Sequence, residues 1–235
     1  MSKKLFYPCA GKDWKDAFHY FQKEIDEFIF CDLQYKFNFK NLKNFEINHE
    51  EFERVSFFIK PFVKIHDHTS NIENIKLIPA EYIQFIKYKT SNIRKKIIFK
   101  IQSGQDCLDQ FNENEIYVFF HRGDSTGEGG SDLHFFSDKR NSSGAAENLY
   151  SKLIKKLAPI SYVVSDGSNN EIIERQNLNL KNMTDEQISN EIIGKKNFTY
   201  QNFQWFCVKR LNDRYGPTLV WKVVRDNPFK IDKPL

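Results

Sequence analysis

Residues Tyr7 to Asp13 read YPCAGKD, a run of small residues with a proline and a glycine in which backbone amides are left free to face a ligand. A carboxylate, Asp32, stands 21 residues after Gly11, and an acid at a strand end can accept two hydrogen bonds from a ribose diol. Tyr7, Gly11, Asp13 and Asp32 are therefore the candidate cofactor-binding residues. A second chemically rich segment, His121 to Asp132, reads HRGDSTGEGGSD and carries Gly123, Gly127, Gly129 and Gly130. Exposed amides in such a loop can wrap a substrate, the planar guanidinium of Arg122 offers a fork for phosphate or carboxylate, and Asp124 or Glu128 can serve as acid or base. Arg122, Asp124 and Glu128 are the candidate catalytic residues, with a plain surface connection as the competing reading. The loop has no GK[ST] and is not a Walker loop.

Other clusters carry less. His66 and His68 flank Asp67 and would share one face of an extended chain, but two ligands do not make a zinc site, so no metal is expected. Asp166, Gly167 and Ser168 suit a turn as well as a cleft rim. Pro8 and Cys9 also read as strand termination and core filling, and Asp13 as a helix cap. The four cysteines, at 9, 31, 107 and 207, show no CxxC spacing. Reduced thiols buried as small hydrophobes in a cytoplasm are expected.

The elements that must position these groups follow from apolar periodicity. Lys4 to Cys9 is a short apolar strand halted at Ala10 and Gly11. Ala17, Phe18, Phe21 and Ile25 recur at helical spacing after Asp13. Phe28 to Cys31 is a continuous apolar run, as in a strand buried on both faces, and it ends at Asp32. Further strands are expected over 52–65, where Pro61 implies a break or an edge, and over 78–88, 97–102, 115–121 and 160–164. A short helix or turn is expected at 104–111 and a helix from Ser142 or Ser143 to Leu157. Another helix, Asp185 to Ile193, has Thr184 as its candidate cap. Phe203 to Leu211 and Thr218 to Val224, joined by a short polar turn, should form an antiparallel hairpin.

Strand, glycine turn, helix and acid-ended strand is similar to the cofactor half of class I S-adenosylmethionine-dependent methyltransferases, and the terminal hairpin resembles the antiparallel pair that closes their sheet. The family's acidic residue and spaced glycines are represented here by PCAG with Gly11 alone, and its NPPY-type signature is absent. The resemblance implies an α/β, Rossmann-like fold: a mostly parallel central sheet flanked by helices, with a C-terminal antiparallel hairpin. It implies S-adenosylmethionine as cofactor and methyl transfer as the reaction.

Length and composition bound the rest. At 235 residues, one domain spanning 1–235 is expected, and 23 Phe with 10 Tyr suffice for a large core. A net charge of +4 is scattered, with its densest groups at Arg94, Lys95, Lys96 and at Lys152, Lys155, Lys156. Those clusters are too small for a nucleic-acid footprint, so nucleic acid is not an expected partner. No run of about 18 apolar residues is present, which argues against a transmembrane helix and a membrane partner, and no signal-peptide core follows the N-terminal lysines. A cytoplasmic location follows. The function expected is binding of a nucleoside-type small molecule in a cleft where Gly11, Asp32, Arg122 and Asp124 meet, with methyl transfer as the first reaction. Two alternatives stay open: a non-catalytic nucleotide-sensing or sequestering module, and a macromolecular interaction protein. Oligomeric state is not legible.

Overall fold

The computed structural model describes residues 2–36, 51–60, 62–67, 74–79, 81–121, 150–165, 183–200, 202–211 and 218–225. The chain divides into two compact units, Met1–Phe111 and Asn112–Leu235.

In the first unit, β1 (Lys4–Pro8), α1 (Trp14–Phe21) and β2 (Glu27–Cys31) form the expected strand, turn, helix and strand. β1 and β2 are adjacent and parallel, with Phe6 opposite Ile29 and Tyr7 opposite Phe30. A turn of 3-10 helix, Leu33–Lys36, follows β2. Next come β3 (Phe52–Ile59), β4 (Phe62–Asp67), β5 (Asn74–Pro79), β6 (Glu81–Tyr88), β7 (Arg94–Lys100) and α2 (Gly104–Asp109). The sheet order is β1-β2-β7-β6-β3, and β4 and β5 make a separate antiparallel pair.

The period-2 geometry of strands sorts the core. Phe28, Phe30, Ile97 and Phe99 share one face, and α1 lays Trp14 and Phe18 on it. The Trp14 ring lies 5.8 Å from Phe30 and 5.3 Å from Phe99, and Phe18 lies 4.8 Å from Phe28. Each of these buried aromatics contributes about 1.5–3 kcal/mol relative to exposure. The apolar stripe read from Ala17 and Phe18 is thus the face that docks α1. On the opposite sheet face Phe6 meets Phe111, beyond the end of α2, at 5.0 Å.

The second unit holds β8 (Ile116–His121), α3 (Tyr150–Lys156), β9 (Leu157–Ser165), α4 (Asp185–Glu191), β10 (Asn197–Tyr200), β11 (Phe203–Leu211) and β12 (Thr218–Arg225). Its order is β10-β11-β12-β9-β8. Thr184 caps α4 in a reciprocal capping box with Gln187, satisfying two donors at the helix start. The hairpin β11/β12 forms as the sequence implies. β10 pairs on its outer side, so the hairpin is not an edge.

The Rossmann-like fold class, with its mostly parallel sheet flanked by helices, is overturned. Among the described residues of the two units, three strand pairs are parallel and six antiparallel. The described helices span only six to eight residues. The physical reason lies in the connections. β6 returns into β7 through the short Lys89–Ile93 turn, closed by the Tyr88 N–H donating to the Ile93 carbonyl at 3.3 Å. A turn that short forces an antiparallel pair. Among the described residues, the chain between the parallel neighbours β2 and β7 carries the 3-10 turn and the strands β3 to β6.

Candidate site at the ends of the first unit's parallel strands

Because β1, β2 and β7 run parallel, their carboxyl ends open along one edge of the first unit's sheet. Three chain segments meet there: 8–13, 31–36 and 100–107. The first leaves β1 in a tight turn, with Cys9 at φ +53° and Gly11 at φ +47°. Gly11 lacks a Cβ and adopts this left-handed conformation without strain, whereas Cys9 holds it against its side chain. The Ala10 N–H donates to the Cys31 carbonyl at 3.2 Å, and the Asp13 N–H returns to the Ala10 carbonyl at 2.8 Å.

Asp32 is the centre of the site. One of its carboxylate oxygens accepts the Gly11 N–H at 2.9 Å, and its own N–H donates to the Lys100 carbonyl at 3.1 Å. This half-exposed acid therefore ties the ends of all three strands together. A Cβ added at Gly11 would stand 3.7 Å from the Asp32 carboxylate, an ordinary contact, so the demand for glycine comes from φ and not from space.

Tyr35 closes the next turn, its N–H donating to the Asp32 carbonyl at 3.3 Å. Its ring meets Phe99 edge-on at 5.6 Å. The side chain is 2% exposed, and among the described residues its hydroxyl has no hydrogen-bond partner. Burial first, and then the Asp32 charge, with weaker contributions from Cys31, Tyr7 and Cys9, push this phenol well above its ordinary pKa. The phenol is therefore a neutral donor close to Asp32, and leaving such a group unpaired in the interior costs about 1–3 kcal/mol. Tyr7 is buried, its ring 6.5 Å from Phe30.

On the β7 side Ser103 caps α2, its hydroxyl accepting the Asp106 N–H at 3.1 Å. Lys100 reaches Gln110 at 2.6 Å and Glu81 at 3.4 Å. Burial raises the Glu81 pKa, but Lys60 at 2.9 Å and Lys100 outweigh it and hold the carboxyl below its ordinary value.

Of the residues read from the sequence, Tyr7, Gly11 and Asp32 come together here. Asp13 sits at the N-cap of α1, but its side chain makes no capping hydrogen bond, so the cap role is corrected. Its φ and ψ are already helical, and the extended backbone that aims a capping side chain at the helix amides is missing. Arg122, Asp124 and Glu128 lie outside the described residues, as do Gly123, Gly127, Gly129, Gly130, His68 and Asp166. Sequence reasoning missed Tyr35 and Ser103. The Ser103-x-x-Asp106 spacing is a helix-start pattern that marks the second. Nothing in the run around Tyr35 signals the first.

No protein-family model matches the chain, and no curated protein matches it. Among solved structures it is similar to a Haemophilus influenzae protein described as a "putative methylase". Identity is 14%, the overlap covers 96% of this chain and 88% of that one, and the TM-score is 0.38. At that score the overlap carries no weight here, and the functional reading rests on the geometry of the chain itself.

Proposed function

We propose that the edge formed by Gly11, Asp32 and Tyr35 binds a nucleoside-containing small molecule, with S-adenosylmethionine as the first candidate and methyl transfer as the reaction. The observation that carries this reading is the Asp32 carboxylate at the carboxyl end of a parallel strand, holding the left-handed Gly11 turn at 2.9 Å. That is where ligands of parallel α/β units gather, because loop amides and strand ends converge there. A ribose diol donates hydrogen bonds, which a carboxylate accepts, and the Tyr35 hydroxyl, without a partner among the described residues, supplies a neutral donor beside it. In methyl transfer the protein mainly aligns the acceptor with the methyl carbon, so the first requirement is a rigid binding edge. For catalysis Asp124 and Glu128 are the acid or base candidates and Arg122 the oxyanion fork, each tested by the turnover of its alanine variant.

The experiment is a thermal shift series with S-adenosylmethionine, S-adenosylhomocysteine, ATP, NAD and buffer. A ligand at a hundred times its Kd adds about 2.7 kcal/mol to stability. Stabilisation by the two adenosyl compounds, abolished in Asp32→Ala, supports the reading. Stabilisation by nucleotides alone moves it to a sensing module, and no shift with any of them defeats it.

A further inference from the structure

One edge of the first unit's sheet is open: among the described residues β3 has a strand neighbour on its β6 side alone. Val55, Phe58 and Ile59 lie on this strand, three of the seven large apolar side chains that are exposed among the described residues. An unpaired strand with apolar side chains is a template for another strand, and edges that stay single are blunted by charge, proline or a bulge. β3 has such devices at its two ends. Its register with β6 shifts between Arg54 and Ser56, where Val55 bulges, and Pro61 follows Lys60. Between them, residues 56–60 carry one charge, Lys60, which already pairs with Glu81 at 2.9 Å.

The backbone fixes which groups face outward. The Lys60 N–H donates to the Glu81 carbonyl at 3.1 Å, so by the period of two Lys60, Phe58 and Ser56 direct their backbone groups at β6. The N–H and C=O groups of Phe57 and Ile59 therefore point away from β6, at the open edge. The side chains give a second signal. Phe6, Ile29, Ile98, Ile83 and Phe58 oppose one another in a single row across β1, β2, β7, β6 and β3. The first four are buried, none more than 7% exposed, and the row breaks off at Phe58, 54% exposed. Its ring stands edge-on to Phe85 at 6.0 Å, so covering it costs little further rotamer freedom.

We propose that β3 pairs antiparallel with β3 of a second copy of this chain, Phe58 opposite the partner's Phe58, joining the two first units in one continuous sheet. This goes beyond the nucleoside reading and does not rest on it. With a two-fold axis at Phe58, Phe57 meets the partner's Ile59 and Ile59 the partner's Phe57, and both pairs exchange their outward N–H and C=O groups. Phe58 meets its copy at the close, non-hydrogen-bonded position, and Lys60 faces the partner's Ser56, a neutral group. Sliding the strands by two residues one way draws the bulged Val55 into the ladder opposite the partner's Ile59. Sliding them the other way sets Phe57 against the partner's Pro61, which has no N–H to donate. A slip of one residue puts opposed side chains on opposite faces. The register centred on Phe58 avoids all three and sets apolar against apolar at its three central positions. It also closes, because each copy's edge is covered by the other and the assembly stops at two.

The test is sedimentation velocity of the intact chain without ligand, from about 1 to about 500 µM, and so short a ladder implies a dimer with Kd on the order of 10–100 µM. Phe58→Glu sets two carboxylates at the axis and removes the apolar contact from both copies, so Kd should rise about a hundredfold. Because Phe58 is exposed in the single chain, this variant should keep the parent's circular dichroism and Tm. Phe58→Cys reads the register: at a non-hydrogen-bonded position its Cα atoms would stand about 4.5 Å apart across the axis, within disulfide range. Oxidised with diamide, it should give a covalent dimer that peptide mass spectrometry maps to a linkage between the two residues 58, whereas Glu53→Cys should give no linkage between its residues 53. A chain that is monomeric throughout the range, a dimer that Phe58→Glu leaves intact, or a parent dimer in which Phe58→Cys does not link at 58 overturns the proposal. Should Phe58→Glu fail to fold, the parent's sedimentation and the Phe58→Cys linkage still decide it.

Discussion

Replacing Asp32 by alanine removes the acceptor of the Gly11 N–H at 2.9 Å and leaves that amide unpaired at the foot of a left-handed turn. A hydrogen bond to a charged group contributes about 1.5–3 kcal/mol. Asp32 is half-exposed, so water replaces part of what is lost, and the lower end of that range, about 1.5 kcal/mol, is the expected cost. For a chain of this size each kcal/mol shifts Tm by about 2–4 °C, so Asp32→Ala should melt about 3–6 °C below the parent. Asp32→Asn keeps an acceptor oxygen without the charge and should lose less than half as much. The assay is thermal and urea unfolding of the three proteins without ligand, followed by hydrogen exchange of the 7–13 peptide. An alanine variant that melts within about 1 °C of the parent, or an asparagine variant as costly as alanine, would refute the argument that this carboxylate ties the strand ends together.

Gly11→Ala should cost about 1 kcal/mol from its φ of +47° alone, since the added Cβ meets nothing closer than 3.7 Å; urea unfolding checks it, and a loss beyond about 3 kcal/mol would mean a clash the structure does not contain. Tyr35→Phe removes a buried hydroxyl without a described partner, so the unliganded protein should be as stable or slightly more so while ligand affinity falls; a destabilised apoprotein would contradict this. Thr184→Ala should lose about 1 kcal/mol with the capping box, read as reduced helicity and protection of 185–191 in hydrogen exchange. Lys95, 2% exposed, donates to the Ile25 carbonyl at 2.5 Å; burial lowers its pKa, opposed by Asp26 and Glu24. The unfolded chain then binds more protons between the depressed folded pKa and the unfolded value of about 10.4, so stability rises with pH across that window. Denaturant midpoints should show this slope in the parent and a weaker one in Lys95→Met, and equal slopes would exclude Lys95 as its source.

The opening β1-α1-β2 unit was legible because its signals are local. Apolar residues at helical spacing dock α1 through Ala17 and Phe18, and the unbroken Phe28 to Cys31 run marks a strand buried on both faces. The β11/β12 hairpin and the Thr184 cap are legible for the same reason, each being settled by residues within a few positions of one another. The run 52–65 is two strands, β3 and β4, with the break at Pro61 that the proline implied, whereas Leu157, assigned to the end of a helix, begins β9 because nothing local marks where that helix stops. The four residues of β10 offer too short a pattern to read.

The sequence by itself determined most strands, the glycine turn and the acid at the end of β2, because apolar period, turn chemistry and capping act over a few residues. Only the tertiary structure decided strand order and direction: that β7 lies beside β2 and parallel to it, and that β6 and β3 run antiparallel beyond it. It alone brought Gly11, Asp32 and the Lys100 carbonyl together. Period-2 alternation says which face a side chain takes but not which strand becomes its neighbour. Pairing is set by the burial and hydrogen bonding of the assembled sheet.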